Sequence, residues 1–203
     1  MKIVGVGCGP DLLTCQAEEV IRSATLIVGS ERAISLVEKK IPAGCDVRVI
    51  EDYKALRSLP GEAVLLSTGD PMLSGLGYLP GEVIPGISSV QLGAARLHTS
   101  LTNLLVLTAH GRGHDDAMCT ACDEVRRGRS LCLITDPSFK IDSLVKKLHS
   151  HPEYRLVICQ DIGYPEEKII EGTVDVPPKA TSGMYILFLL PPAYPDFAKA
   201  PAL

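Results

Sequence analysis

A chain of 203 residues, of which 46% are hydrophobic, is long enough to bury a sizeable core as one compact domain or as two small lobes. Its formal net charge of −4 at pH 7 offers no basic surface of the kind that binds nucleic acid, so we expect no nucleic-acid partner. No apolar run approaches the roughly 20 residues that span a bilayer, and the N-terminus enters a strand pattern without a cleavable leader, which predicts a cytoplasmic protein with no membrane partner.

The seven cysteines are an odd number, and Cys132 and Cys159 stand inside apolar, strand-like runs where a thiol behaves as a small hydrophobic side chain. This usage is typical of a reducing compartment. The Cys-Thr-Ala-Cys segment at 119–122, which follows two histidines, could be written as half of a zinc site. No second such pair follows at ligand spacing, so we predict that the chain binds no metal.

The chain begins with a β-branched strand at 2–6 that runs into a glycine-rich loop and then into a helix capped by Thr14. Such a strand-loop-helix unit invites comparison with the dinucleotide-binding fingerprint G-x-G-x-x-G. The fingerprint that would start at Gly5 fails, because Pro10 stands where its third glycine is required. The next strand, at 26–28, ends without the acidic residue that would bind a ribose. We therefore expect no NAD site in this loop.

The first hundred residues alternate strands and helices in the way that predicts a parallel sheet. After the first helix come a helix from Ser30, a strand at 47–50, a short helix at 53–59, strands at 64–67 and 83–84, and a helix opened by the capping box of Ser88 and Gln91. The last two strands each end in a polar Gly/Pro loop, Ser-Thr-Gly-Asp-Pro and Pro-Gly-Ile-Ser-Ser. Loops at strand ends are where α/β folds bind small ligands, so these two loops are the first place to expect chemistry.

Periodicity lapses at 98–102, which is the best linker candidate and divides the chain into lobes 1–99 and 103–203. The second lobe is predicted to contain strands at 104–107, 131–134 and 156–159 and helices at 115–127 and 141–149. From Lys168 onward, further strand patterns follow with no room for helices between them, which indicates antiparallel pairing. The predicted fold class is α/β, with a parallel-sheet N-terminal lobe and a mixed-sheet C-terminal lobe.

Four motifs in order carry a resemblance to a known family: GVGCGPDLLT at the start, STGDP in the middle, IPGISS before a helix, and HGR at 110–112. Together they are similar to the tetrapyrrole (corrin/porphyrin) methylases over nearly the whole chain. The stretch PGISSVQLGAARL, followed by a strand and HGR, most resembles the branch that methylates cobalt-precorrin-7 at carbon 5 in cobalamin biosynthesis. The resemblance implies the two-lobe tetrapyrrole methylase fold, S-adenosylmethionine held in the cleft between the lobes, a corrinoid (precorrin) substrate and a homodimer.

The resemblance also implies a donor pocket made largely of loop backbone. Its expected members in the first lobe are Cys8, Gly69, Asp70, Pro71, Leu73, Ser88 and Ser89. In the second lobe, Thr135 and Gln160 are expected near the pocket, because Thr135-Asp136 and Gln160-Asp161 follow strands. Structural alternatives stay open for the first lobe: Asp70 could only turn the chain, Ser88 could only cap its helix, and Cys8 could be a tight-turn residue.

The HGR motif supplies the expected acceptor-binding residues. His110 and Arg112 are candidates to bind acetate and propionate groups of the tetrapyrrole, or else to lie in an exposed loop. A polycarboxylate acceptor would otherwise be repelled by a chain of net negative charge, so a local basic rim is expected. No side chain is assigned as acid, base or nucleophile, because alignment of donor and acceptor supplies most of the barrier reduction in methyl transfer.

Three functions remain open from the sequence. The leading one is an S-adenosylmethionine-dependent C-methyltransferase acting on a corrin ring carbon. The second is another member of the same family, acting on a different corrin carbon or on the diphthamide pathway, and the third is a non-catalytic nucleotide-binding module. Some relatives carry a fused half that methylates carbon 15 and decarboxylates an acetate, and a separate protein is expected to supply that step here. The segment after Gly75 is also shorter than is usual in the family. In the family this segment forms the wall of the pocket beside the Gly-Asp-Pro loop, so that wall is expected to differ here, while the loop itself is kept.

The run Met-Tyr-Ile-Leu-Phe-Leu-Leu at 184–190 holds seven consecutive uncharged residues, more than a strand with one wet face needs. Such a strand must be covered on both faces, and the second lobe offers few amphipathic helices to cover it. The sequence therefore predicts a symmetric homodimer that buries this apolar surface at the edge of the lobes.

Overall fold

The computed structural model describes residues 1–111 and 113–192. Arg112, one of the two candidate acceptor-binding residues, lies outside the described residues, as does the end of the chain after residue 192. Within the described ranges, no helix has both the length and the apolar character needed to cross a bilayer.

The chain folds as two compact units, Met1–Ser89 and a second unit from Val90 onward. Periodicity placed the linker later, at 98–102. The helix before that predicted linker belongs, except for its first residue Ser89, to the second unit, where its Gly93 lies so close to the ring of Phe188 that an added Cβ would be 2.8 Å from the ring. The absence of a side chain at Gly93 allows this contact.

The first unit is built on a five-stranded parallel sheet, which confirms the predicted N-terminal sheet. Its strands are β1 (Lys2–Gly5), β2 (Leu26–Gly29), β3 (Asp46–Val49), β4 (Val64–Ser67) and β5 (Glu82–Ile84). They lie in the order β3-β2-β4-β1-β5, and all neighbours pair in parallel. The inner strand β1 is buried on both faces, since Ile3 packs in one core cluster and Val4 in the other. The loops that follow β4, β1 and β5 leave from adjacent positions at the same edge of the sheet.

The helices of the first unit begin where the capping signals indicate. They are α1 (Cys15–Arg22), α2 (Glu31–Val37) and the single turn α3 (Pro71–Ser74), with 3-10 turns at Glu38–Lys40, Ala55–Ser58 and Leu76–Tyr78. Thr14 Oγ1 accepts a hydrogen bond from the Ala17 amide at 3.2 Å, and Ser30 Oγ accepts one from the Ala33 amide at 3.2 Å. Both N-caps are therefore confirmed, whereas the short helix predicted at 53–59 is only a 3-10 turn.

The second unit carries a mixed five-stranded sheet, as predicted. Its elements are α4 (Ser89–Arg96), β6 (Leu104–Ala109), α5 (His114–Arg126), β7 (Ser130–Thr135), α6 (Ile141–Lys147), β8 (Arg155–Gln160), β9 (Lys168–Thr173) and β10 (Tyr185–Leu190). The strand order is β6-β7-β10-β8-β9; β6 and β7 pair in parallel, and the other neighbours are antiparallel. The C-terminal ends of β6, β7 and β8 and the N-terminal end of β10 consequently share one edge of this sheet.

Strand β10 is covered within one chain, so the argument that an apolar strand requires a second copy was wrong. It is the central strand of its sheet, and each of its residues is at most 8% exposed. Leu187 and Leu189 pack in the core cluster on one face, while Phe188 lies against Gly93 on the other. The oligomeric state therefore needs support other than this strand.

Candidate active site

Three loops of the first unit are joined by backbone hydrogen bonds at the carboxyl edge of the parallel sheet. After β1 and β4, Gly7 and Gly69 pair through two bonds, from the Gly69 amide to the Gly7 carbonyl at 2.7 Å and from the Gly7 amide to the Gly69 carbonyl at 3.3 Å. The Cys8 amide donates to the carbonyl of Ile87, in the loop after β5, at 2.9 Å. The glycine-rich, Gly-Asp-Pro and Pro-Gly-Ile-Ser-Ser loops therefore form one connected platform.

The platform depends on glycines that allow backbones to touch. A Cβ added at Gly86 would lie 2.2 Å from the Gly69 carbonyl oxygen, and one added at Gly5 would lie 2.6 Å from the Gly86 nitrogen. Gly69 itself adopts φ of +69°, the left-handed region that side chains rarely enter. A Cβ there would meet the backbone of Ser88 at 3.8 Å, an ordinary van der Waals distance, so the left-handed backbone rather than crowding is what favours glycine at this position.

Asp70 ties two of these loops together. One carboxylate oxygen accepts from the Met72 amide at 2.8 Å and caps α3, and the other accepts from the Gly86 amide at 3.0 Å. Pro71 is the first residue of α3, and the Leu73 amide donates to the Asp70 carbonyl at 3.0 Å. The turn role considered for Asp70 is confirmed, and the contact to Gly86 adds a long-range role that the turn did not predict.

Cys8 is held from a second side by a residue that the sequence did not single out. The Arg32 guanidinium donates to the Cys8 carbonyl at 2.9 Å from helix α2. The Cys8 side chain is buried, at 5% exposure, so the residue contributes its backbone to the platform. Its predicted main-chain role at a donor pocket is compatible with this placement. An arginine in the first turn of α2 was the available signal, but nothing local indicated which carbonyl it would reach.

The two serines at the end of the Pro-Gly-Ile-Ser-Ser loop stand at the start of α4. Ser88 is buried, at 5% exposure, and directly precedes the helix, while Ser89 is its first residue. The backbone of Ser88 lies beside Gly69, on the side where a Cβ of any other residue would project. Of the predicted donor-pocket residues, the structure thus brings together Cys8, Gly69, Asp70, Pro71, Leu73 and Ser88 around one edge, with Ser89 following.

In the second unit, Thr135 and Gln160 end the strands β7 and β8, on either side of the start of β10. The Thr135 hydroxyl donates to the Tyr185 carbonyl at 2.6 Å. The Gln160 side-chain oxygen accepts from the Thr181 amide at 2.7 Å and from the Ser182 amide at 3.0 Å. Both side chains are therefore used to join the strand ends, which favours a main-chain role in any ligand binding.

The buried carboxylate of Asp136 accepts hydrogen bonds from residues on both sides of it in space: Gly111 after β6, His114 at the start of α5, and Ser138. One oxygen accepts from the Gly111 amide at 2.6 Å and from His114 Nε2 at 3.0 Å. The other accepts from the Ser138 amide at 2.8 Å and from its hydroxyl at 2.5 Å. The hydrogen bond from the Ser138 hydroxyl is the largest of the effects that hold the pKa of Asp136 well below its ordinary 3.8, followed by those from Gly111 and His114.

His110 is exposed, and its Nδ1 lies 3.2 Å from the carbonyl oxygen of Thr135. The structure therefore places one candidate acceptor-binding residue, His110, at the same sheet edge as Thr135. Sequence reasoning named both residues but not their contact, because strand pairing brings together positions that are 25 residues apart.

Replacing Asp136 with asparagine should lower the free energy of unfolding of the second unit by about 2–3 kcal/mol at neutral pH, because buried donors lose a charged acceptor. A carboxyl whose folded-state pKa is lowered adds stability that is complete above its ordinary pKa and is lost as the pH falls toward the folded-state pKa. The difference between the two proteins should therefore shrink in acid. Denaturant unfolding at neutral and acidic pH measures it.

The matched control is Asp123→Asn, since Asp123 forms an exposed pair with Arg126 at 2.5 Å. An exposed pair of this kind contributes about 0–1 kcal/mol, so the control should unfold almost as the unaltered protein does. An Asp136→Asn deficit that stays the same at both pH values would contradict the assignment of its stabilising role to the ionised carboxylate.

No group of three or more histidine, cysteine, aspartate or glutamate side chains within 1–111 and 113–192 is arranged to hold a metal ion. The Cys-x-x-Cys pair considered for zinc lies on α5, where Cys119 is exposed and Cys122 is buried. The seven cysteines, all in the described part of the chain, form no disulfide.

Comparison with known proteins gives relatives along most of the chain. The family described as Tetrapyrrole (Corrin/Porphyrin) Methylases matches residues 2–177. A Methanocaldococcus jannaschii protein named "Probable cobalt-precorrin-7 C(5)-methyltransferase" is 35% identical over 190 residues, covering 82% of this chain and 86% of that protein. The Salmonella typhimurium protein named "Cobalt-precorrin-7 C(5)-methyltransferase" is 25% identical over 184 residues, covering 83% of this chain and 88% of that protein.

Solved structures agree with the fold. The precorrin-6Y methylase of cobalamin biosynthesis from Archaeoglobus fulgidus has a TM-score of 0.75 and 27% identity, with 94% of this chain and 97% of that chain covered. The uroporphyrin-III C-methyltransferase from Thermus thermophilus has a TM-score of 0.68 at 22% identity, covering 93% and 94%, and this second likeness concerns the fold alone. The chain belongs to the tetrapyrrole (corrin/porphyrin) methylases and is a methyltransferase of that family.

Proposed function

We propose that this chain transfers a methyl group from S-adenosylmethionine to carbon 5 of cobalt-precorrin-7, a step of cobalamin biosynthesis. The observation that carries the proposal is the 35% identity, over 82% of the chain, with the Methanocaldococcus jannaschii protein of that name. The fold supports methyl transfer but not the choice of acceptor, because a uroporphyrin-III methyltransferase shares it. Acceptor choice therefore rests on the sequence relatives.

The platform of the first unit suits a donor bound through main-chain groups. S-adenosylmethionine, when bound, supplies an electrophilic methyl group on a sulfonium. The chain has to hold the donor in line with the acceptor and exclude water. The paired backbones of Gly7 and Gly69 and the hydrogen bond from the Gly86 amide to Asp70 fix these loops against one another.

The remaining assignments follow the family. Thr135 and Gln160 take part in donor binding through their main chain, because their side chains are engaged within the sheet edge. The exposed His110 acts on the tetrapyrrole acceptor together with Arg112, two residues further along the chain, and Arg112 binds one of the acceptor's carboxylate groups. The chain works in the cytoplasm as a homodimer, and a separate enzyme supplies methylation and decarboxylation at carbon 15.

Methyl transfer from an isotopically labelled donor to a set of corrin intermediates tests the proposal, with the product carbon identified by NMR. We expect label on carbon 5 of cobalt-precorrin-7. Label on another corrin carbon would overturn the acceptor assignment while leaving the family intact. Calorimetry with S-adenosylhomocysteine, ATP and NAD supplies the control. If ATP or NAD binds more tightly than S-adenosylhomocysteine, S-adenosylmethionine is not the methyl donor.

Replacing Asp70 with alanine should weaken S-adenosylhomocysteine binding about five- to tenfold and destabilise the first unit by about 1–2 kcal/mol. The cap on α3 and the tie to Gly86 are both lost, so the Gly-Asp-Pro loop is no longer fixed. Calorimetric titration and denaturant unfolding measure the two effects.

Asp52→Ala is the matched control for this variant. Asp52 caps a turn with the same geometry, accepting from the Lys54 amide at 2.8 Å, but it is exposed and lies outside the platform. We expect the control to keep full donor affinity. Equal affinity in both variants would leave Asp70 with only its turn role.

A further inference from the structure

His110 and Gly111, the two residues that follow β6, are joined to the end of β7 by hydrogen bonds. His110 Nδ1 lies 3.2 Å from the Thr135 carbonyl oxygen, and the next residue, Gly111, donates its amide to Asp136 at 2.6 Å. His114 Nε2 reaches the same Asp136 oxygen at 3.0 Å, and its ring lies edge-on to Phe139 at 5.5 Å. His110 is therefore held through its own side chain, by the Thr135 carbonyl, and through the amide of the next residue, by Asp136.

The Thr135 contact decides which nitrogen of His110 carries hydrogen. A carbonyl oxygen can only accept, so Nδ1 must be the donor in this contact. In the neutral imidazole, Nε2 then has a lone pair and no hydrogen. In this neutral form, the exposed His110 presents a hydrogen-bond acceptor at this edge of the sheet. The Nε2 lone pair can accept a proton, whereas binding a carboxylate would require a hydrogen on that nitrogen.

Methylation of a conjugated ring carbon that bears one hydrogen needs a proton acceptor. An electron pair of the conjugated system forms the new carbon–carbon bond, while the bond from methyl to sulfur breaks and its pair stays on sulfur. The carbon then carries both the methyl group and its hydrogen, and conjugation returns only when that hydrogen leaves as a proton. The balance is acceptor–H plus sulfonium donor giving acceptor–CH₃, thioether and one proton.

We propose that His110 Nε2 accepts this proton, with the Thr135 carbonyl and the Asp136 carboxylate holding the ring and its loop in position. The proposal rests on the proposed function, because it requires a C-methylated acceptor. His110 becomes an imidazolium and afterwards returns the proton to water. A general base placed in this way contributes about 10²–10⁴-fold to the rate.

Asp136 is a positioning residue in this scheme. Its oxygens accept hydrogen bonds from the Gly111 amide, from His114 at the start of α5 and from Ser138, and none of these bonds joins Asp136 to His110. The low pKa of the carboxyl keeps it ionised, so that it remains an acceptor for those donors and does not compete for the transferred proton.

The test compares the unaltered protein with His110→Asn, using cobalt-precorrin-7 with hydrogen or deuterium at the carbon that is methylated. Asparagine can still donate to the Thr135 carbonyl but is no base. We expect kcat to fall about 100-fold, with an unchanged KM for the acceptor and unchanged S-adenosylhomocysteine affinity. The kinetic isotope effect should rise, because proton removal becomes the slow step. Asp136→Asn should lower kcat less and raise the isotope effect in the same direction.

His149→Asn is the control, because His149 is also exposed and its Nδ1 lies 3.1 Å from the Lys146 carbonyl. It should leave kcat, KM and the isotope effect unchanged. A raised KM with normal kcat in His110→Asn would overturn the proposal and return His110 to binding a carboxylate; an unchanged kcat or isotope effect would overturn it as well. If the unaltered protein methylates no corrin carbon, the proposed function itself fails, which is distinct from failure of the variant alone.

Discussion

Replacing Gly86 with alanine should destabilise the first unit by about 3 kcal/mol and abolish measurable binding of S-adenosylhomocysteine. The new Cβ would lie 2.2 Å from the Gly69 carbonyl oxygen and 2.8 Å from the Gly5 carbonyl carbon. Both contacts are with backbone, so no side chain can rotate away, and the three loops must separate. Thermal unfolding and calorimetric titration measure the two effects.

Gly61→Ala is the control for this prediction. A Cβ at Gly61 would meet no atom within 4 Å, so the substitution should change stability by about 0.5 kcal/mol or less. Gly86 does not have a positive φ, which leaves the steric contact as the cause. Normal donor affinity in Gly86→Ala, with the unit folded, would contradict the assignment of the donor to the three-loop platform.

Most of the fold could be predicted because its signals are local. Thr14 and Ser30 each predict the start of a helix, because their hydroxyls can cap it by accepting from the amide three residues further on. Both of these hydrogen bonds are present. Apolar runs at helical and strand spacing gave the alternation from which the parallel sheet follows. Where the local signal was weak, as at 53–59, the predicted helix is a 3-10 turn at Ala55–Ser58.

The contacts of the candidate site could be predicted only in part, because they join residues that are distant in the chain. The motif Gly-Asp-Pro located Asp70, but its bond to Gly86 depends on β4 and β5 both flanking β1. Arg32 could not be matched to the Cys8 carbonyl without the packing of α2. Likewise, the sequence suggested His114 only as part of a zinc site with the Cys-x-x-Cys pair. In the structure it forms a hydrogen bond with Asp136 instead.

Sequence alone also misjudged how the apolar strand at the end of the second unit is covered. A run without charges indicates that both faces are buried but does not indicate what buries them. The cover comes from α4, whose Gly93 allows close approach to β10, and from the core cluster on the other face. A glycine inside a helix was the available clue, but its meaning depends on the facing residue.

Replacing Phe188 with alanine should cost the second unit about 3–5 kcal/mol, because a fully buried ring leaves a cavity behind. The ring is covered by its own chain, so the loss should be the same at low and high protein concentration. Denaturant unfolding over a range of concentrations measures this, and light scattering gives the mass at each one. Tyr53→Ala is the matched aromatic control, since Tyr53 is 55% exposed and should change stability by about 0.5 kcal/mol or less.

This experiment separates strand burial from assembly. If the unaltered protein is a dimer, its unfolding midpoint rises with concentration, since association stabilises the folded state by mass action. Phe188→Ala should lower the midpoint and leave that dependence in place, because the ring lies against Gly93 of the same chain. A variant that folds well but loses the concentration dependence would instead put Phe188 in the interface between copies, and the packing of β10 within one chain would be wrong.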